Sequence, residues 1–130
     1  MRTLAAIFKA LSDETRVSML LLLLHEGELC VCDFIEVLGV TQSKASRHLR
    51  YLVHAGLLQD RREAVWVHFR IAKPVGDAPA AVLSGLRRML PKELPAKLRV
   101  ALAAWRKRKA ACAVVCGKAV APRRAGAGRA

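Results

Sequence analysis

Residues 41–56 read TQSKASRHLRYLVHAG, and this stretch decides the fold. Thr41 is a favourable N-cap, apolar residues recur at helical spacing behind it, and Gly56 ends the run. The opposite side of the predicted helix carries polar and cationic side chains. A short turn containing Gly39 precedes the helix. Such a turn followed by a helix with a cationic outer face is what docking in the DNA major groove requires.

The segments on either side of this helix predict further helices and one hairpin. Three apolar stripes at helical spacing come before it, and Ser12 is the predicted N-cap of the second helix. After it the period changes to two, which predicts a β-hairpin that begins near residues 57–59 and turns at residues 61–64. Helices are also expected at residues 82–90 and 95–116. In the first three helices the residues expected to be buried are Leu4, Ile7, Phe8, Leu11, Val17, Leu20, Leu21, Leu24, Val31, Phe34, Ile35 and Leu38.

This order of elements predicts a mainly α fold with a β-hairpin (α+β), the winged helix-turn-helix DNA-binding domain. We expect one domain over residues 1–116. Within it, the helix that reads DNA is expected at about residues 41–55, the wing at about 57–72 and a C-terminal helix at about 95–116. The last segment, residues 117–130, is expected to be a basic disordered tail.

The charge of the chain indicates a polyanionic partner. The 130 residues carry a formal net charge of +13, so nucleic acid is the first candidate and an anionic membrane surface the second. The charge is uneven, because residues 95–130 hold ten basic residues and no acidic one. This C-terminal excess either adds salt-sensitive attraction to phosphate or is only a solvated segment.

Two cysteine pairs are the second chemical feature of the sequence. No stretch resembles a signal peptide, and the longest apolar run, residues 17–24, is too short to cross a bilayer. We therefore expect a cytoplasmic protein with no membrane partner, in which thiols stay reduced. Paired cysteines in that setting indicate metal binding or redox chemistry. The candidate metal ligands are Cys30, Cys32, Cys112 and Cys116.

Polar residues in the first half of the predicted DNA-reading helix are candidates for base contacts. Arg47 can bond guanine through two hydrogen bonds, and Gln42 can bond adenine in the same way. One turn later, Arg50 is placed to meet phosphate, and two arginines at the hairpin tip could flank a minor groove. The alternative is that these are ordinary solvated side chains. The candidate DNA-binding residues are Gln42, Ser43, Ser46, Arg47, Arg50, Arg61 and Arg62.

Three strings together resemble the arsenical-resistance repressors of the ArsR family: ELCVCD at residues 28–33, TQSKASRHL at 41–49 and WVHFR at 66–70. The resemblance covers roughly residues 4–105. It implies a homodimeric repressor, paired through its first and last helices, that binds double-stranded operator DNA. It also implies release from the operator when trivalent arsenic (arsenite) or antimonite, the inducer, binds cysteine thiolates, with no organic cofactor.

The spacing of Cys30 and Cys32 creates a geometric conflict. In a regular helix positions i and i+2 lie about 200° apart, so joint binding of one ion requires an extended or unwound first turn. The third predicted helix braces the DNA-reading helix. Our hypothesis is that an ion that pulls both sulfurs to one side shifts this brace and disfavours the DNA-bound shape.

A third thiolate is needed, because trivalent arsenic takes about three thiolates in a pyramid. The family pattern has a further cysteine where this chain has Ile35. Cys112 and Cys116 are the candidates for the third ligand, from the same chain or from the partner. They could equally form a separate site, or be two small apolar residues at a helix end.

Other functions use the same residues. A repressor of this fold could respond to thiol oxidation, or to another soft metal such as cadmium or zinc. A protein that coats nucleic acid without specificity would need only the charge. A thiol oxidoreductase or arsenate reductase is disfavoured, because the chain lacks a C-x-x-C motif and a phosphate-cradling loop. We therefore predict that the protein is not an enzyme.

Overall fold

The computed structural model describes residues 1–111 of the 130, and these form six helices and a three-stranded sheet. The winged helix-turn-helix prediction is confirmed. The elements are, in chain order, α1 (Arg2–Ala10), α2 (Glu14–Glu26), β1 (Glu28–Cys30), α3 (Val31–Leu38), α4 (Gln42–His54), β2 (Leu58–Glu63), β3 (Trp66–Ile71), α5 (Asp77–Met89) and α6 (Ala96–Ala111).

The sheet has the antiparallel order β1-β3-β2, and the β2–β3 hairpin is the wing. The predicted turn at residues 61–64 is wrong, because β2 continues to Glu63, which pairs with Trp66. Ala64 adopts φ +56° in the two-residue turn between them. Strand β1 was not predicted. It is three residues long and pairs Cys30 with His68.

Helix α2 is the centre of the core. Met19, Leu20, Leu22 and Leu23 have no exposed surface. The predicted stripe was too narrow, and its members Val17 and Leu24 are only half-buried. Because α2 is covered by α4 on one side and by β1 and β3 on others, apolar residues are buried around most of its circumference.

The junction between α1 and α2 differs from the prediction in two respects. Asp13, not Ser12, caps α2, and its carboxylate accepts a hydrogen bond from the Arg16 backbone N–H at 3.1 Å. The Ser12 hydroxyl donates to the Lys9 carbonyl instead and so closes the end of α1. On α1, Phe8 was expected in the core but is 60% exposed, because the helix turns its Ile7 face, and not its Phe8 face, toward the core.

The C-terminal helices frame the domain. Helix α5 begins five residues earlier than expected, at Asp77, and α6 packs along α3. Cys112, Cys116 and the predicted tail at 117–130 lie outside the described residues. Over residues 1–111, none of the helices has both the length and the apolar character that a membrane crossing needs.

Candidate functional site

The outer face of α4 gathers the predicted base-contacting residues. Thr41 caps the helix by accepting a hydrogen bond from the Lys44 backbone N–H at 3.2 Å. The apolar residues of α4 turn into the core, which leaves the polar ones on the opposite side. Among the predicted residues, Gln42, Ser43 and Arg47 are exposed and Ser46 is half-buried. Exposed Lys44 in the first turn was not among the predicted residues.

The other predicted DNA contacts fall into two groups. Arg50 forms an ion pair with Asp60 of β2 at 2.8 Å, and so ties α4 to the wing. Arg61 pairs with Glu28 of β1 at 2.7 Å and with Glu63 at 3.2 Å. Hydrogen bonds to these two glutamates raise the pKa of Arg61. Arg62 is exposed and makes no ion pair with any of residues 1–111, so its guanidinium is available to phosphate.

Arg16 of α2 joins the end of α1 to α4. Its guanidinium donates to the carbonyls of Lys9 and Ala10 at 3.1 and 2.7 Å. The same group donates to Nδ1 of His48 at 3.1 Å and lies 4.2 Å from the centre of the Tyr51 ring. Burial lowers the pKa of His48, which favours the neutral imidazole that can accept this bond. The sequence analysis did not single out Arg16.

Cys30 and Cys32 lie side by side at the start of α3. Cys30 ends β1 and is the N-cap of α3, with extended backbone angles of φ −90° and ψ 168°. Its Sγ lies 2.7 Å from Sγ of Cys32. The expected 200° separation does not apply, because Cys30 precedes the helix. The extended turn that joint binding of one ion requires is therefore present, and the two sulfurs are already adjacent in this structure. The predicted shift of the brace stays a hypothesis.

Asp33 connects the cysteine pair to α6. Its Oδ2 accepts the Cys30 backbone N–H at 2.8 Å. Its Oδ1 accepts the Trp105 indole N–H and the Lys109 ammonium, each at 2.8 Å. Burial alone would raise the pKa of Asp33, but Lys109 and the three hydrogen bonds outweigh it and lower that pKa. Asp33 is therefore a buried carboxylate held by three donors.

The environment also activates the first thiol. A hydrogen bond from Cys32 is the largest cause of the lowered pKa of Cys30. Burial and the charge of Asp33 oppose this shift, whereas the Lys109 ammonium, 4.0 Å from the sulfur, assists it. A lower pKa increases the thiolate fraction, and the thiolate is the form that ligates soft ions.

Two more ion pairs hold α6 against residues 1–40, a segment with three basic and six acidic residues. Arg106 pairs with the buried Glu26, and Arg108 pairs with Glu36 at 3.0 Å. Part of the C-terminal basic excess is therefore engaged in ion pairs within the domain. These contacts join residues more than 70 positions apart, so no local sequence pattern could reveal them.

The described residues supply two of the thiolates that a soft ion needs. Sγ of Cys30, Sγ of Cys32 and a carboxylate oxygen of Asp33 all lie within 4.8 Å of one another. Two adjacent sulfurs at a half-buried position fit a thiophilic ion. The Asp33 oxygens are occupied by hydrogen bonds, which makes this carboxylate a poor third ligand. Whether Cys112 or Cys116 serves instead lies outside the described residues.

Comparison with known sequences finds regulators of the arsR family and of arsenic resistance. Residues 13–60 match the family model for bacterial regulatory proteins of the arsR family. The chain is 46% identical over 80 residues to the arsenic resistance transcriptional regulator ArsR1 of Pseudomonas putida, covering 62% of each chain. It is 52% identical over 66 residues to the arsenical resistance operon repressor of Escherichia coli, covering 51% of this chain and 56% of that protein. The matches thus span about three fifths of these relatives.

A cadmium regulator and a solved structure complete the comparison. The cadmium resistance regulatory protein CadC homolog of Staphylococcus aureus is 43% identical over 67 residues, 52% of this chain and 55% of that protein. A homodimeric winged helix-turn-helix DNA-binding domain from Mycobacterium bovis, described as a possible ArsR-family regulator, superposes with a TM-score of 0.56. It is 30% identical, and the match covers 67% of this chain and 77% of that one. From its fold, its family-model match and these relatives, the chain belongs to the ArsR family of bacterial transcriptional regulators.

Proposed function

We propose that this protein is an arsenite- or antimonite-responsive transcriptional repressor that acts in the cytoplasm as a homodimer on double-stranded operator DNA. The observation that carries this proposal is the pair of adjacent sulfurs of Cys30 and Cys32 at the start of α3. Relatives with arsenic-resistance names support the choice of inducer. The inducer passes from water into coordination by the thiolates, and the protein then leaves its operator.

The capture chemistry follows from the thiols. Each bond that forms between arsenic and sulfur replaces one bond between arsenic and hydroxide. The thiol proton joins that hydroxide and leaves as water. The lowered pKa of Cys30 speeds this exchange, because it raises the fraction of the nucleophilic thiolate.

The position of Cys30 supports a route from inducer to DNA. Cys30 belongs to both β1 and the cap of α3, so its backbone is bonded to the wing through β3 and to the helix that packs on α4. An ion that fixes the Cys30 sulfur thereby constrains the wing relative to the helix-turn-helix. The two DNA-contacting elements then no longer match the grooves together. By reciprocity, operator DNA must weaken inducer binding by the same factor.

The third ligand is proposed to come from Cys112 or Cys116, in a domain that extends to about residue 116. Lys109 of α6 lies 4.0 Å from the Cys30 sulfur, and Cys112 is only three residues further along the chain. Three residues span at most about 11 Å of backbone, which makes Cys112 the nearer of the two cysteines along the chain. We keep the two cysteines as alternatives, from the same chain or from the partner.

The proposed dimer would use α1 and the C-terminal helix. Phe8 on α1 is 60% exposed and Leu4 beside it is 37% exposed. Exposed apolar side chains grouped on one helix are typical of a surface covered by a partner. The homodimeric state of the Mycobacterium bovis relative supports dimerisation itself.

Titration of the operator complex with arsenite tests the function and the ligand set together. Under full reduction, wild-type protein should leave the operator as arsenite binds. Cys30→Ser and Cys32→Ser should bind the operator but not leave it at the wild-type arsenite concentration. Of Cys112→Ser and Cys116→Ser, the variant that removes the third ligand should be impaired in the same way. Unchanged release in both the Cys30 and Cys32 variants would overturn the proposal.

Arg47 and Arg61 should differ in their effect on operator binding. Arg47 lies free on the outer face of α4, so Arg47→Ala should weaken specific binding by about tenfold or more. Arg61 already pairs with Glu28 and Glu63, so Arg61→Ala should weaken it much less. Fluorescence anisotropy with operator and scrambled duplexes measures both effects. Equal losses would show that Arg61 leaves its glutamates to contact DNA.

A cadmium-responsive repressor is the second candidate. The Cys30, Cys32 and Asp33 group contains the sulfur and oxygen donors that a divalent ion accepts, and one relative is a CadC homolog. The same titration with cadmium separates this candidate, because operator release by cadmium at a lower concentration than by arsenite would favour it. A redox-responsive repressor would instead leave the operator on oxidation, without either ion.

A further inference from the structure

Lys109 places a positive charge beside the thiol pair. Its ammonium lies 4.0 Å from Sγ of Cys30 and 2.8 Å from Oδ1 of Asp33. The side chain is 25% exposed, so water screens this charge only in part. Its ion pair with the buried Asp33 carboxylate holds the ammonium in place beside the thiols.

The ammonium of Lys109 also pairs with the Asp33 carboxylate, which is the oxygen ligand that a divalent ion would use. A carboxylate oxygen of Asp33 lies within 4.8 Å of both sulfurs, and the three groups could form a site of two thiolates and one carboxylate. That set carries three negative charges when ionised, which suits a dication. In this structure Lys109, Trp105 and the Cys30 backbone N–H hold the Asp33 oxygens. A divalent ion would have to displace the ammonium to recruit Asp33.

A trivalent metalloid meets no such barrier. Arsenite and antimonite reach the site as neutral hydroxides, and the exchange of hydroxide for thiol with loss of water leaves a neutral product. The ammonium neither attracts nor repels a neutral ligand to first order, whereas it repels a dication at a few ångströms strongly. Lys109 thus changes the equilibrium affinity of the site for divalent cations and not its affinity for neutral metalloid hydroxides.

We propose that Lys109 sets the selectivity of the Cys30 and Cys32 site for neutral trivalent metalloids over divalent soft cations. This inference rests on the proposed function, in that it takes the two cysteines as the inducer site. It assigns Lys109 a role in selectivity and Asp33 the role of its anchor, with neither residue as a ligand of the metalloid.

Direct binding to the reduced, full-length protein without DNA tests this role. Cadmium and arsenite are titrated separately, and the ultraviolet absorption of the new bonds to sulfur reports binding. In Lys109→Gln, whose amide can still donate to Asp33, cadmium should bind at least about tenfold more tightly than in wild type. Arsenite affinity should stay within about threefold, since its charge is zero. Lys109→Arg should keep the wild-type ratio of the two affinities.

Lys107→Gln is the matched control, because it removes the same charge from an exposed position of the same helix. It should leave the affinity ratio unchanged. Lys109→Met, which cannot donate to Asp33, should raise cadmium affinity further. An unchanged ratio in Lys109→Gln and Lys109→Met, or an equal change in Lys107→Gln, would overturn the proposal. Failure of operator release with intact, selective binding would instead count against the proposed function alone.

Discussion

Replacing Asp33 by alanine is expected to destabilise the protein by about 3 kcal/mol, the lower end of the range for breaking a buried ion pair. The variant removes an acceptor that is 7% exposed and that serves three donors. The Trp105 and Cys30 N–H groups lose their partner, and the Lys109 ammonium loses its counter-charge. Partial exposure of Lys109 limits the loss. Urea unfolding of the metal-free, reduced protein measures it.

Glu36→Gln is the control for this prediction. Glu36 also pairs with a basic residue of α6, but both side chains are substantially exposed, so the expected cost is no more than about 1 kcal/mol. Equal costs for the two variants would mean that the buried contacts of Asp33 add nothing to the attachment of α6.

The difference in unfolding free energy between wild type and Asp33→Ala should also depend on pH. The pKa of Asp33 is lowered below its ordinary 3.8 in the folded protein. A lowered folded pKa stabilises the protein above the unfolded pKa, and this stabilisation is lost as pH falls through the folded value. The difference in unfolding free energy should therefore be constant at neutral pH and narrow as pH falls below about 5, where the unfolded carboxyl begins to protonate, with most of the change below 3.8. If the two unfolding free energies instead converged at neutral or higher pH, a titratable group other than Asp33 would be responsible.

Elements with a local pattern could be predicted from the sequence, and elements made by distant contacts could not. Helix α4 shows a period of 3.6 in its apolar residues, and strand β3 shows the alternation of a strand. Strand β1 does not, because three residues become a strand only through pairing with β3, some 40 positions away. The extended backbone of Cys30 depends on that strand. For this reason the sequence identified both thiols and the need for an extended turn, but not the strand that supplies that turn.

The electrostatic role of α6 is the other feature that sequence reasoning missed. Residues 1–40 carry an acidic excess and residues 95–130 a basic one. From the sequence, the basic segment was expected either to attract phosphate or to be a solvated segment. In the fold, three of its cations neutralise Glu26, Asp33 and Glu36. The capping position of Asp33, three residues after Cys30, was the one local sign, because an acid at N3 accepts the N-cap N–H.

Arg16→Met should weaken both the fold and operator binding. Methionine retains the apolar stem of Arg16 but loses its hydrogen bonds to two carbonyls and to His48, as well as its contact with the Tyr51 ring. Hydrogen bonds from charged donors contribute about 1.5 to 3 kcal/mol each, so the loss should reach about 3 kcal/mol after the carbonyls regain water. Urea unfolding measures this loss.

The effect of Arg16→Met on DNA should exceed what its stability loss explains. Arg16 fixes the end of α1 against α4, so the DNA-reading helix of the folded variant should be less well positioned. At a temperature where the variant is fully folded, operator affinity should fall by about tenfold while scrambled DNA is bound as before. Arg88→Met, at an exposed position of α5, is the control and should change stability by less than about 0.5 kcal/mol. Because Arg16 touches neither cysteine, arsenite affinity in the absence of DNA should stay at the wild-type value. A loss of arsenite binding together with operator binding would show that Arg16 supports the whole domain and not the junction of α1 with α4.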